Sequence, residues 1–201
     1  MPGETWIVVG LGNPGERYRR TRHNVGFRLV DRLAEDLSAG PEEAEAGVRV
    51  RWAEMGERRV ALLKPLTYMN RSGEALRRFP ASVEAGPGRH LVVLDDVALR
   101  FGSVRFRPRG SSGGHRGLAS VLEALESEEV PRLRMGVGSA KPGTDLADHV
   151  LEPFSADEEA ALPPWLARAS EGVRTYLELG PEEAMSRFNR SLAPNEDKET
   201  R

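Results

Sequence analysis

The sequence contains no cysteine, and only three of its 29 cationic side chains are lysines. The absence of cysteine excludes disulfides, thiolate metal ligands, iron–sulfur clusters and a cysteine nucleophile. The four histidines, at positions 23, 90, 115 and 149, are too scattered to predict a histidine-rich metal cluster. No uncharged apolar run approaches the roughly 18 residues of a membrane-spanning helix, and the first residues do not resemble a signal peptide. We therefore expect a cytoplasmic protein that holds no metal and contacts no membrane.

The composition that remains is that of an ordinary globular protein, with 39% apolar and 30% charged residues in a chain of 201. The net charge of -2 argues against a wholly basic nucleic-acid binder. The cations are nevertheless clustered, because four arginines lie within residues 17–22 and no acid interrupts residues 100–116. Nearly all are arginines, whose planar guanidinium suits phosphate, although a compositional bias would produce the same preference.

Strands and helices alternate along the chain. Short β-branched or apolar runs predict strands at residues 6–9, 48–52, 59–64, 90–94, 102–106 and 132–137. Helical spacing predicts helices at residues 25–37, 72–79, 118–125 and 182–188. A capping-box pattern at Ser155–Glu158 predicts a further helix to Leu179, broken or kinked at Pro163-Pro164. This alternation predicts one α/β domain over residues 1–189 around a largely buried sheet, followed by a flexible tail at 190–201.

The first motif is Gly10-Leu-Gly-Asn-Pro-Gly15, directly after the first strand. Its spacing fits a dinucleotide-binding fingerprint, but that fingerprint needs a helix starting at its glycines. Residues 16–23 have no apolar stripe, and the next acid after them, Asp31, lies inside the following helix. A glycine turn without a ligand explains the glycines but leaves Asn13 and the neighbouring arginines unexplained.

Polar side chains also occur near the ends of predicted strands, where open α/β sheets bind ligands: Asn13, His23, Asn70 and Asp95. Each alone is explained as a turn residue, a helix cap or a surface side chain. Together, a histidine and an aspartate can form an oriented general base, and amides can hold a polar substrate. The glycine-rich loop at residues 110–117, which precedes a helix, is either an anion or oxyanion site or a flexible connector.

Five segments in order resemble the signature blocks of the bacterial-type peptidyl-tRNA hydrolases, over about residues 6–190. They are VGLGNPGERYRRTRHNVGF, KPLTYMNRSG, VVLDDVALRFGSVRFR, SSGGHRGLASV and RLRMGVG. The resemblance implies a monomeric single-domain α/β protein with a mixed sheet. It also implies hydrolysis, without cofactor or metal, of the ester between a peptide and the 3′ end of tRNA.

The resemblance also implies roles for individual residues. His23 would be the general base and Asp95 the carboxylate that orients it. The expected substrate-binding residues are Asn13, Tyr18, Tyr68, Asn70, His115 and Arg116, and the expected tRNA phosphate contacts are Arg107 and Arg134. The match departs from the family at Arg116, where asparagine is usual, and at Ala98, where an acid is common.

Two rival functions remain from the sequence. A catalytically silent relative would keep the arginine surface and bind RNA without cleaving an ester. A dinucleotide-dependent oxidoreductase would bind a nicotinamide cofactor at the glycine motif. The peptidyl-tRNA substrate, bound through its acceptor end and 3′ terminus, is the partner that the sequence favours.

Overall fold

The computed structural model describes residues 4–140 and 143–189, so the expected flexible tail at 190–201 lies outside the described residues. The strands are β1 (Thr5–Gly10), β2 (Glu43–Glu45), β3 (Val48–Met55), β4 (Arg58–Pro65), β5 (His90–Asp96), β6 (Val104–Arg107) and β7 (Arg132–Gly136). The helices are α1 (Val25–Asp36), α2 (Ser72–Arg78), α3 (Pro80–Ala85), α4 (Arg116–Ala124), α5 (Leu146–Leu151), α6 (Ala156–Leu179) and α7 (Pro181–Phe188).

The seven strands form one sheet in the order β2-β3-β4-β1-β5-β7-β6. The four central strands, β4, β1, β5 and β7, are parallel, and β2, β3 and β6 add antiparallel pairs at the two edges. This confirms the mixed sheet of the expected α/β fold. The chain passes from β1 to β4 on one side and then crosses to β5 on the other side. The carboxyl ends of β1 and β5 therefore meet at a topological switch point, where open sheets leave a crevice.

Both faces of the sheet are covered, which explains why its central strands are apolar throughout. Successive side chains of a strand point to opposite faces, so Val8 packs in one apolar layer while Ile7 and Val9 pack in the other. The first layer lies against α1, α6 and α7, and the second lies against α2, α3 and α4. The resulting three-layer arrangement fixes the loops at the carboxyl ends of the parallel strands.

The expected break at Pro163-Pro164 is wrong, because α6 runs through both prolines as one helix of 24 residues. The two proline nitrogens cannot donate, so the carbonyls of Glu159 and Ala160 lose their helical partners. Both prolines are exposed, so this side of the helix is open to water, while Leu162 on the opposite face is buried in the core. The expected capping box does form, with Ser155 and Glu158 bonded reciprocally.

The remaining expected elements are present with boundaries shifted by a few residues, whereas β2, α3 and α5 were not predicted. Each of these three has only three to six residues, too few for a clear periodicity. Within residues 4–140 and 143–189, no helix is long and apolar enough to cross a bilayer.

Candidate active site

A cavity of about 880 Å³ opens at the carboxyl ends of the parallel strands, at the switch point between β1 and β5. It is lined by most of the residues that the sequence marked for function: Asn13, His23, Tyr68, Asn70, Asp95, Arg107, His115, Arg116 and Arg134. A second depression of about 1290 Å³ lies beyond the amino end of β1, against the β3–β4 turn. Its lining contains none of those residues.

His23 reaches the cavity from a short 3-10 turn, Arg22–Asn24, that leads directly into α1. Its Nδ1 lies 2.8 Å from Oδ1 of Asp95, the carboxylate near the end of β5. Because a carboxylate accepts, this contact places the proton on Nδ1 and the lone pair on Nε2. No described residue is bonded to Nε2, so His23 has the form of an oriented base.

A second histidine shares the same carboxylate oxygen. Nε2 of His115 lies 3.0 Å from Oδ1 of Asp95, and Nδ1 of His115 accepts a hydrogen bond from the Leu118 backbone N–H at the start of α4. The Leu118 bond therefore fixes the proton of His115 on Nε2. Both ring nitrogens of His115 are engaged within the protein, so any substrate contact would use the face or carbon edge of the ring.

These two hydrogen bonds determine the charge state of Asp95, whose side chain is only 2% exposed. Burial alone would raise the pKa of this carboxyl, but the hydrogen bonds from His115 and His23 outweigh it and hold the pKa far below its usual range. Asp95 is therefore an anion at neutral pH, and it can stabilise a positive charge that develops on His23.

The three side chains also bring their potential ligand atoms within 4.8 Å of one another, which raises the question of a metal. A metal needs a lone pair on each imidazole nitrogen that it binds. Nε2 of His115 has no lone pair available while Nδ1 accepts from Leu118, so the donor set does not fit a metal in this geometry.

Asn13 is fixed by the residues around it. Its backbone N–H donates to Oδ1 of Asn24, and Nδ2 of Asn24 donates back to the Asn13 carbonyl. Its side-chain Oδ1 accepts the backbone N–H of Met69 at 2.8 Å. The remaining group, Nδ2 of Asn13, has no partner among the described residues, so Asn13 presents a hydrogen-bond donor to the cavity that it lines.

Gly10 in the first motif and Gly26 in α1 allow close packing between β1 and α1. A Cβ on Gly10 would lie 2.3 Å from the Gly26 carbonyl oxygen, and one on Gly26 would lie 2.6 Å from the Leu11 nitrogen. Such distances are far shorter than any real contact, so both positions require glycine. The start of α1 is thus pressed against the end of β1, which explains Gly10 without a nucleotide. Gly15 instead has a φ of +107°, a conformation that favours glycine.

The other expected site residues divide into two groups. Tyr68, Asn70, Arg107 and Arg116 line the cavity and are exposed, while Arg134 is partly buried there and paired with Asp96. Tyr18 does not line the cavity; its ring lies against the guanidinium of Arg17, 4.5 Å from the centroid. The structure therefore unites all the expected residues except Tyr18.

Sequence reasoning missed part of the cavity wall. Helix α5 contributes four lining residues: Leu146, Ala147, Val150 and Leu151. Their helical spacing and the capping residue Asp145 before them are typical of a helix, but six residues are too few for that pattern to predict one. Arg132, which is 3% exposed, also lines the cavity and holds the glycine loop through the carbonyls of Gly110 and Ser111. Its strand position predicted only that it would face one side of the sheet.

Comparison with known proteins identifies the family. A sequence model described as peptidyl-tRNA hydrolase matches residues 7–198. The chain belongs to the peptidyl-tRNA hydrolase family. Relatives named peptidyl-tRNA hydrolase include one from Chloroflexus aurantiacus, 46% identical over 92% of this chain and 98% of its own, and one from Aquifex aeolicus, 43% identical over 92% and 96%.

The fold agrees with solved members of this family. The crystal structure of peptidyl-tRNA hydrolase from Acinetobacter baumannii superposes with a TM-score of 0.84 at 28% identity, covering 94% of this chain and 96% of that one. A mutant of the same enzyme gives 0.83 at 29% identity. The family model matches all the segments that form the cavity, and the superposition covers 94% of the chain.

Proposed function

We propose that this chain hydrolyses the ester between a peptide and the 3′ end of tRNA, releasing free tRNA for translation. The observation that carries the proposal is the His23–Asp95 pair at 2.8 Å in the arginine-lined cavity, with no residue of the described part of the chain bonded to Nε2 of His23. The proposal takes the enzyme to be cytoplasmic and monomeric, as the family resemblance implies.

In this mechanism, Nε2 of His23 removes a proton from water as the oxygen attacks the ester carbonyl carbon. Asp95 stabilises the imidazolium that forms. Collapse of the tetrahedral intermediate breaks the bond to the ribose oxygen, which takes the proton back from His23. An ester has a good enough leaving group for water to act directly, so no covalent intermediate is required.

Asn13 is suited to stabilise the reacting group. Because its Oδ1 is held by the Met69 N–H, Nδ2 is a fixed donor that needs no reorganisation when charge develops on the substrate. The exposed amide of Asn70 and the ring of Tyr68 extend from the same loop after β4 and can contact the peptide. Tyr18 lies outside this arrangement, so we do not include it among the substrate contacts.

The arginines of β6 and β7 support a substrate that carries phosphate. Arg105 pairs with Arg134 and Arg107 with Arg132 across the antiparallel strands, so the four side chains leave the same face of the sheet. Three of them, Arg107, Arg132 and Arg134, line the cavity. Like charges directly opposite one another destabilise a sheet, and an anionic ligand would offset that cost. Contacts of this kind bind the nucleic-acid backbone whatever its sequence, which suits an enzyme that must accept many tRNAs.

The proposal is tested by incubating the protein with N-acetylated aminoacyl-tRNA and measuring the release of free tRNA. His23→Ala should lower kcat by about 10²- to 10⁴-fold, the usual contribution of a positioned general base. Its affinity for tRNA should stay close to that of the wild type, whereas its melting temperature should fall, because the buried Asp95 carboxylate loses one of its two histidine donors. Turnover within a few-fold of the wild type would show that His23 is not the base.

The same experiment separates the rival function. A silent RNA-binding relative would bind tRNA but release none from the acylated substrate, even with the wild-type sequence. The intact bonding of His23 to Asp95 favours the enzyme, since a protein that only binds RNA has no need of an oriented base.

A further inference from the structure

Two consecutive carboxylates end β5, and they have different partners. Asp95 is bonded to His23 and His115, as described above. Oδ2 of Asp96 accepts a hydrogen bond from Nε of Arg134 on the neighbouring strand β7. Successive side chains of a strand point to opposite faces, so the chain places one acid beside the base and the next beside an arginine.

Asp96 is itself held in place. Its Oδ1 accepts the backbone N–H of Ala98 at 2.9 Å, and its side chain is 11% exposed. The register of β5 against β7 pairs Leu94 with Arg134, and Asp96 is two residues further along the same face. The carboxylate is therefore a fixed acceptor rather than a mobile surface acid.

The contact with Asp96 uses only one edge of the Arg134 guanidinium. Nε is engaged, whereas no described residue accepts a hydrogen bond from Nη1 or Nη2, and neither atom is a buried unpaired group. Arg134 lines the cavity with a side chain that is 29% exposed. The two terminal amino groups are thus open, in the planar fork that matches two oxygens of a phosphate.

We propose that Asp96 is a positioning residue: it fixes Nε of Arg134 so that Nη1 and Nη2 face a phosphate of the tRNA. This rests on the proposed function. The phosphate is either the terminal one at the 5′ end or a backbone phosphodiester, which present the same oxygens. Asp95 then orients His23 and Asp96 orients Arg134, both from the end of β5. The sheet therefore holds the base and the phosphate-binding guanidinium at a fixed distance from each other.

The sign of one mutation distinguishes positioning from simple charge. As an anion near the binding surface, Asp96 repels phosphate, so removing its charge would by itself tighten tRNA binding. If Asp96 orients Arg134, removing the acceptor frees a long side chain that must be ordered again on binding, and affinity falls. Asp96→Asn suits the test because Oδ1 of asparagine can still accept the Ala98 N–H, while its Nδ2 cannot accept from Nε.

With N-acetylated aminoacyl-tRNA, Asp96→Asn should raise KM by about 3- to 10-fold, the cost of ordering one flexible side chain, with a smaller change in kcat. In an Arg134→Ala background, Asp96→Asn should cause no further rise. Glu183→Gln is the matched control, since it removes an acceptor from Nε of Arg187 on α7, outside the cavity, and should leave KM unchanged. The proposal would be overturned if Asp96→Asn lowered KM. It would also be overturned if Asp96→Asn raised KM by the same factor in the Arg134→Ala background as in the wild type.

Binding of uncharged tRNA provides a readout that does not depend on ester cleavage. If the proposed function fails, the wild type releases no tRNA, yet the coupling between positions 96 and 134 is still measurable as a dissociation constant. A 5′-dephosphorylated tRNA identifies the phosphate. If Asp96→Asn no longer weakens binding of this tRNA, Arg134 contacts the 5′-terminal phosphate; if it still weakens binding, Arg134 contacts a backbone phosphodiester. If Asp96→Asn does not fold, Arg134→Lys replaces it, because lysine keeps the positive charge but lacks the planar guanidinium. This variant must also lower the affinity for tRNA.

Discussion

The cavity has two regions that are organised in opposite ways. In the buried region, His23, Asp95 and His115 have side chains that are 15%, 2% and 12% exposed, and a network of hydrogen bonds fixes both imidazole tautomers. In the arginine region, Arg107 and Arg116 are exposed and form no ion pair with any described residue. Proton transfer requires fixed atoms, whereas the exposed side chains of Arg107 and Arg116 can adapt to the phosphates of different tRNAs. Mutations in the first region should therefore alter turnover, and mutations in the second should alter affinity and its dependence on salt.

The largest effect that tests this comparison is expected for Asp95→Asn. The asparagine oxygen can still accept the bonds of both histidines, which meet a single oxygen of Asp95. The neutral amide lacks the charge that stabilises an imidazolium, so we expect kcat to fall by about 10²- to 10⁴-fold. The affinity for tRNA should change little, because Asp95 is buried beneath the cavity. Single-turnover release of tRNA from N-acetylated aminoacyl-tRNA measures the first quantity, and filter binding measures the second.

The neighbouring acid gives the comparison for that experiment. Asp96→Asn is expected to act mainly on KM, so equal losses of kcat in the two variants would contradict the division between the two regions. The structure makes this distinction because only Asp95 contacts a histidine, whereas Asp96 contacts Arg134.

A smaller effect is expected for Arg107→Ala, in the arginine region. Log affinity for tRNA should fall linearly with log salt, and loss of one phosphate contact should reduce the slope by about 0.7 to 0.9. The control is Arg187→Ala, which removes an arginine outside the cavity lining and should leave the slope unchanged. A slope that is the same in the wild type and Arg107→Ala would show that Arg107 makes no phosphate contact.

The sequence predicted the buried region better than the arginine region. His23 and Asp95 lie near the ends of recognisable strands, and the switch point of an open sheet brings such ends together. The second bond to Asp95 was not predictable, because the role of His115 depends on the cap of α4 and on a distance between two loops. Tyr18, a half-buried residue of a short 3-10 turn, was assigned by resemblance alone, and its ring lies against Arg17 instead.

The arginines show why the arrangement of the arginine region could not be predicted from the sequence. A run of guanidinium groups has the same appearance in sequence whether a side chain is buried under a loop, as Arg132 is, or exposed, as Arg107 is. Their separation depends on the pairing of β6 with β7 and on the acceptors that each residue meets. Similarly, the sequence does not show that Pro163 and Pro164 lie on the exposed side of α6, where carbonyls without a helical partner can bond to water.

The smallest expected effect concerns Arg116, which stands where the family usually has asparagine. Arg116 is the first residue of α4, is exposed and lines the cavity. A cation at a helix N-terminus opposes the helix dipole by about 0.3 to 1 kcal/mol, so its presence there needs a compensating benefit. A phosphate contact would provide one.

Arg116→Asn should therefore raise the melting temperature slightly and weaken tRNA binding by about 2- to 5-fold at physiological salt. Turnover at saturation should change even less, since His115 still caps the helix and donates to Asp95. Unchanged affinity with a large change in saturated turnover would instead place Arg116 among the groups that act on the ester.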